Sequence, residues 1–198
     1  MTEINELLVA ITGASGAVYA DRLLRMVAGR VPRLGLVVTE QGADVVAHEL
    51  GWGVDFDSLQ ITGLPPEVAA RARLQRPDDF SSHYASGSVP PDAMIIVPCS
   101  IGVAGRIAAG TGSTLVTRAA AVCLKERRPL VLVVRESPLG LIDLRNLVTL
   151  AEAGAIVMPA APPFYSSPQT IEEMADYFAA RVLDQIGLRI EHPGRWGL

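Results

Sequence analysis

Leu7-Leu8-Val9-Ala10-Ile11-Thr12-Gly13-Ala14-Ser15-Gly16-Ala17 is the stretch on which the fold is decided. Five aliphatic residues without polar alternation read as a strand buried on both faces, and Thr12-Gly13 ends it in a turn. From Ala17 to Ala28, Val18, Leu23, Leu24 and Val27 fall on one helical stripe, so a helix follows the turn. A second strand, Leu34 to Val38, and a helix from Gln41 to Leu50 complete a strand-helix-strand unit, which requires a parallel pairing.

The same alternation returns further along. Ala93 to Val97 is a strand ending in Pro98-Cys99-Ser100, followed by helical stretches from Ile101 to Ala109 and Leu115 to Glu126. Leu130 to Val134 and Ala155 to Met158 read as strands, with helices at Asp143 to Glu152 and Ile171 to Ile186. Between Gly51 and Pro91 the pattern gives way to Gly, Pro, Asp and Ser. Only Pro66 to Arg73 looks helical there, so this is a mostly irregular excursion of the kind that is more often functional than decorative. The expectation is an α/β fold, a Rossmann-like or flavodoxin-like three-layer α/β/α arrangement on a mostly parallel sheet, with residues 1–198 forming one domain.

Composition agrees. Of 198 residues 49% are hydrophobic and only 5% aromatic, and the mean hydropathy is +0.32, so the apolar weight is aliphatic, as buried parallel strands require. A net charge of -4 provides no field that favours nucleic acid or an anionic membrane. Cys99 and Cys123 form no CxxC pair, and His48, His83 and His192 lack metal-ligand spacing, so neither a disulfide framework nor a metal site is expected. Acidic residues near the N-terminus and the lack of an apolar run of about 18 residues leave cytoplasmic residence as the default.

In open parallel sheets ligands bind beyond the carboxyl ends of the strands, where helix N-termini point inward. After the first strand, Gly13 and Gly16 permit close backbone approach, Ser15 offers a hydroxyl, and the helix amides suit a phosphate; a tight turn alone would also account for these glycines. Tyr19 stands where a dinucleotide loop would place a small residue, which argues against a pyrophosphate and against a nicotinamide reductase with Glu40 on the ribose. Ser100-Ile101-Gly102 repeats the device after a later strand. Cys99 reads as a small buried residue rather than a nucleophile. Arg127 and Arg128 suit dipole compensation at a helix end, whereas Arg135, beside Glu136, sits where a buried strand opens into the crevice.

Taken in order, TGASGA, PCSIG, TRAA, LKERRPLVLVVRESP and PAAPPFY resemble the UbiX-type flavin prenyltransferases, and the similarity runs from about Leu7 to Trp196. The resemblance implies a homo-oligomer, commonly a dodecamer, that binds reduced FMN at a subunit interface. It further implies prenyl transfer from dimethylallyl phosphate, with the product serving a UbiD-type decarboxylase. FMN contacts would fall on Gly13, Ala14, Ser15, Thr39, Ser86, Ser100, Ile101, Gly102, Val103 and Arg135, with Arg118 reaching a flavin across the subunit boundary. Lys125, Arg135, Tyr165 and Arg181 would hold the prenyl phosphate, Trp196 would help close the prenyl pocket, and Ser15, Glu49 and Glu136 would act at the reacting edge. Cations and a phenol on an allylic phosphate are what its departure needs, without a metal, and Glu136 is suited to manage the proton lost on ring closure. Glu40 stands where a lysine is common. Two other readings share the fold: an FMN-dependent cysteine decarboxylase, whose early histidine and PASAN-type loop find no match here, and a flavin carrier, which would have no use for a second phosphate site.

Overall fold

The computed structural model describes residues 4–165 and 167–191. In chain order the first half contains β1 (Glu6–Ile11), α1 (Ala17–Val27), β2 (Arg33–Val38), α2 (Glu40–Leu50), β3 (Gly53–Asp55), β4 (Gln60–Thr62), α3 (Pro66–Ala69) and β5 (Ala72–Gln75). A single 3-10 turn, His83–Ala85, leads to β6 (Ala93–Cys99), α4 (Ile101–Ala108), α5 (Leu115–Lys125), β7 (Leu130–Val134), α6 (Leu141–Glu152), β8 (Ile156–Pro159) and α7 (Ile171–Asp184).

All residues of β1, β6 and β7 are buried, as their unbroken aliphatic sequences require. Six strands form one sheet in the order β5-β2-β1-β6-β7-β8, every neighbouring pair parallel. Counting only the strands of this sheet, the order is that of the Rossmann fold, and the chain reverses direction across the sheet between β1 and β6. The pleat sends alternate β1 side chains to opposite layers. Leu7, Val9 and Ile11 pack with α1 and with Phe178, Ala179, Val182 and Leu183 of α7. Leu8 and Ala10 pack with Val103, Ile107, Leu115, Val116 and Ala119 of α4 and α5.

Residues 51–91 are more ordered than the sequence suggests. The helix expected over Pro66 to Arg73 is one turn that ends at Ala69, and Ala72–Gln75 is instead the edge strand of the main sheet, in register with Leu34 to Val37. Four residues that include Arg73 and Gln75 carry no apolar run, and only the prior existence of β2 gives this segment something to pair with. Gly53–Asp55 and Gln60–Thr62 form a separate antiparallel hairpin.

Candidate functional site

The reversal point between β1 and β6 is held by one side chain. Thr12 is fully buried; its hydroxyl donates to the Pro98 carbonyl at 2.8 Å and accepts the Ser100 amide at 2.8 Å. The two loops read from sequence as separate ligand-binding devices, TGASG and PCSIG, are therefore fixed to each other. Nothing but its position next to Gly13 singled Thr12 out in the sequence. Close approach explains Gly13: a Cβ there would lie 2.5 Å from the Cβ of Gln41, and one at Gly42 would lie 2.6 Å from the Ile11 carbonyl oxygen. The N-terminus of α2 is thereby pressed against the end of β1. Gly16 is needed for its backbone, since it caps α1 at φ 110, in the left-handed region.

The N-terminus of α1 corrects an expectation. Its amides do not stand open for a phosphate: the Glu49 carboxylate, carried on α2, accepts the Gly16 amide at 3.0 Å and the Ala17 amide at 2.8 Å. Burial alone would raise the Glu49 pKa. The Ser15 hydroxyl, the Ala17 and Gly16 amides and the Arg135 charge outweigh it and hold the carboxyl below its usual range. Arg135 leaves β7 beside this cluster, and its charge also opposes the upward push that burial gives the Tyr19 phenol. Ser15, Glu49, Tyr19 and Arg135 thus form a single electrostatic unit at the carboxyl edge of the sheet. Sequence reasoning had used Tyr19 only to exclude a dinucleotide.

Thr39, Ala14, Ser100 to Val103 and Glu136 stand at the carboxyl ends of the strands. Thr39 is buried and caps α2, its side-chain oxygen accepting the Gly42 amide at 3.0 Å. Ser100 caps α4 in the same way, accepting the Val103 amide at 3.4 Å, while Gly102 is open, with nothing within 4 Å of where a Cβ would stand. Ala14 and Val103 are buried and Ile101 packs against the core, so these three can meet a ligand chiefly through their backbone. Glu136 is exposed one residue beyond Arg135, its carboxylate accepting the Ser137 amide at 3.1 Å. Tyr165 is 57% exposed in the segment after β8, and Arg181, on the exposed side of α7, pairs with Asp184 at 3.5 Å. Trp196 lies outside the described residues.

Lys125 and Ser86 are not brought to this edge within one chain. Helix α5 starts beside the carboxyl end of β5, where the Leu115 amide meets the Pro77 carbonyl, and runs back toward the start of β7. Its last residue, Lys125, pairs with Glu126 at 3.3 Å beside Gly87, and Arg128 approaches Asp92 just before β6 begins. Lys125 and the Ser86–Ser88 loop therefore sit toward the amino edge of the sheet, opposite Ser15 and Arg135. Arg118 lies between, half-buried, its Nε donating to the Ala85 carbonyl at 2.8 Å.

Two buried thiols take no part. Burial pushes Cys99 and Cys123 up to about 12, which leaves both protonated and inert at neutral pH. Among the described residues no group of three or more His, Cys, Asp or Glu side chains is arranged to hold a metal ion, and no helix is long and apolar enough to cross a membrane.

A doubly wound parallel sheet with hydroxyl-bearing helix caps, Thr39 and Ser100, at its carboxyl edge is the framework of an open α/β ligand-binding protein. The Flavoprotein family model matches residues 1–183. The flavin prenyltransferase UbiX of Methanothermobacter thermautotrophicus is 39% identical over 196 residues, covering 99% of this chain and 97% of that protein. Crystal structures give the same picture: AnUbiX (PadA1) in complex with FMN and dimethylallyl pyrophosphate superposes with a TM-score of 0.84 at 34% identity, covering 96% of this chain and 97% of that one. A dodecameric FMN-dependent UbiX-like decarboxylase from Escherichia coli O157:H7 gives 0.85 at 36% identity, covering 96% and 98%. The chain belongs to the UbiX flavin prenyltransferase family.

Proposed function

We propose that this protein attaches a dimethylallyl group from dimethylallyl phosphate to reduced FMN, and that the prenylated flavin is released to a UbiD-type decarboxylase. The observation that carries this reading, beside family membership, is the cluster of Ser15, Glu49 and Arg135 around the α1 N-terminus, with Glu136 next to it. It joins a fixed cation to carboxylates of two kinds, one held charged by its partners and one open to solvent.

The residues present fit a flavin. Gly13 to Ser15, the Thr39 cap and Ser100 to Val103 follow the neighbouring strands β1, β2 and β6 and bring amides and hydroxyls to the same edge of the sheet, as a planar ring with a polar edge requires. When bound, the reduced flavin supplies the nucleophilic nitrogen and the ring carbon that take the prenyl group. Arg135, with Tyr165 and Arg181, receives the phosphate as its carbon–oxygen bond breaks, so that charge on the leaving group is neutralised without a metal. Ser15 orients the flavin edge, and Glu49 fixes Ser15 by accepting its hydroxyl. Glu136 would accept the proton released when the carbon–carbon bond, formed after the carbon–nitrogen bond, closes the new ring.

Lys125, Ser86 and Arg118 join this machinery from a neighbouring copy, which fits the place of Lys125 and Ser86 toward the opposite edge of the sheet and of Arg118 between the two edges. A surface for such assembly exists. Helix α6 exposes Leu141, Ile142, Leu144 and Val148 (Ile142 by 74%) and buries only Leu150. An apolar helix face of this kind is normally covered by another subunit. We take the assembly to be a homo-oligomer, a dodecamer, of single-domain subunits acting in the cytoplasm.

Anaerobic incubation with reduced FMN and dimethylallyl phosphate tests the reaction, with the mass of the extracted flavin as readout. A gain of one prenyl group is expected. Unmodified FMN with both the monophosphate and the pyrophosphate donor would overturn the assignment.

A further inference from the structure

The amino edge of the sheet, at the end of the strands away from Ser15 and Arg135, has a concavity of its own. Glu6 pairs with Arg33, and Gly35 with Arg73, across parallel strands. The side chains of Glu6, Arg33 and Arg73 therefore project from one face, the face that Leu8 turns toward α4 and α5. Tyr84, in the 3-10 turn, covers this face over β2 in the space left by Gly35, where a Cβ would collide with the Tyr84 hydroxyl. Glu6, Arg33, Arg71, Arg73, His83 and Tyr84 line a cavity of about 510 Å³ there. That volume falls within the ~300–1,000 Å³ of a site for a whole small ligand.

Its electrostatics are those of an anion site. Among the described residues Glu6 is the one lining carboxylate, and it is already satisfied. It is 5% exposed; its Oε1 accepts the Tyr84 hydroxyl at 2.9 Å and lies 2.8 Å from His83 Nε2, and its Oε2 meets Arg33 at 3.1 Å. The guanidiniums of Arg71 and Arg73 are not committed in this way. Arg71 makes no side-chain hydrogen bond or ion pair among the described residues, and Arg73 reaches only the Ala72 carbonyl, at 3.2 Å. With His83 neutral, three arginines against one carboxylate leave the lining two positive charges in excess, in a chain whose net charge is -4. Charges on an edge strand such as β5 also guard it against pairing with another chain. That role does not bring a third arginine, from the interior strand β2, to the same concavity.

We propose that this cavity is a binding site for a phosphate monoester, held by Arg71 and Arg73 with Arg33 at its margin, and separate from the site at the carboxyl edge. A guanidinium presents paired N–H donors that match phosphate oxygens two at a time. A phosphate monoester carries about 1.5 to 2 negative charges at pH 7, which the excess charge of the lining balances, whereas a monocarboxylate would leave part of it unmatched. The remaining volume, bounded by Pro32, Leu34 and Ala70, takes the organic part of the ester. The inference does not rest on the flavin reading, since none of these side chains belongs to the proposed reaction machinery.

The test is equilibrium dialysis of radiolabelled inorganic phosphate against the purified full-length protein, without flavin or prenyl donor. The proposed prenyl phosphate site would take phosphate as well, so the two are separated by substitution. Arg71→Gln should weaken one bound phosphate per subunit about tenfold, and Arg71→Gln with Arg73→Gln about a hundredfold, on the order of tenfold for each charge-assisted contact. Neither side chain has an ion pair to lose, so both proteins should keep the wild-type melting temperature, oligomer size and prenylation. Arg135→Gln should retain this phosphate, and succinate should displace it there only at about tenfold higher concentration than unlabelled phosphate does. One phosphate per subunit, kept in Arg135→Gln and lost in the double variant, would support this site and count against the phosphate role of Arg135. Wild-type phosphate binding in the double variant would overturn the proposal, as would its abolition by Arg135→Gln alone. Succinate that competes better than phosphate would assign the cavity to carboxylates and overturn it equally.

Discussion

Glu49 gives the sharpest test of the electrostatic unit at the carboxyl edge. Its carboxylate accepts the first two amides of α1, at 3.0 and 2.8 Å, and so does the work of a helix cap from a different helix. Removing a capping oxygen costs about 1 kcal/mol, and removing a negative charge from a helix N-terminus about 0.3–1 kcal/mol more. Glu49→Ala loses both effects, about 1–2 kcal/mol. Glu49→Gln keeps an acceptor oxygen and loses mainly the charge, about 0.5 kcal/mol. At about 2–4 °C per kcal/mol for a chain of this size, alanine should lower the melting temperature by about 2–8 °C and glutamine by about 1–2 °C. The pH dependence has a definite sign. The folded Glu49 pKa lies below its ordinary value of 4.5, so the stabilisation is fully present above pH 4.5 and disappears as pH falls through the lower folded value. Circular dichroism melts at one fixed subunit concentration, from pH 8 down to the lowest pH at which both proteins fold, should show a constant gap between wild type and Glu49→Gln that closes only on acidification. A gap of zero at pH 7, or one that widens in acid, would refute the capping role.

Thr12→Val keeps the shape of the buried side chain but leaves the Ser100 amide without its acceptor, so stability should fall by about 1–3 kcal/mol and flavin affinity with it, read by melting and by titration. Both thiols are expected to resist a thiol-reactive dye in the native state and to react in denaturant, because burial holds them near 12; native labelling at Cys99 would contradict its place in the core. Glu136→Gln should bind FMN normally while prenylation stalls, with full turnover as the contrary result. Oligomers assembled from Lys125→Ala and Glu136→Gln subunits should regain part of the activity each lacks alone, since sites would form that draw an intact residue from each; no recovery in verified mixed oligomers would place both residues in one subunit's site.

The sheet was legible in the sequence because its central strands are uninterrupted aliphatic runs and its helices carry clear stripes, signals that survive without knowledge of neighbours. Strands β1, β2, β6, β7 and β8 and the long helices lie where the pattern placed them, within a residue or two at most ends. The positions of the glycine loops, of Ser100 and of the Arg135-Glu136 strand end were readable for the same reason, since a parallel sheet fixes which loop ends share an edge, whereas the capping role of Ser100 was not. β5 was not, because an edge strand of four residues has no pattern of its own and takes its structure from β2.

Pairings between distant side chains belong to the tertiary structure alone. Sequence placed Glu49 near a reacting flavin only through resemblance, but its hold on the α1 amides depends on how closely α2 approaches β1, a distance set by Gly13 and Gly42. Likewise, nothing in the chain's order joins Thr12 to Pro98 and Ser100, or brings Arg33 and Arg73 to one cavity. Periodicity reports which face of an element is buried, a property of neighbouring residues, whereas a binding site is made by groups far apart in sequence whose meeting is decided by strand order and by the backbone distances that packing allows.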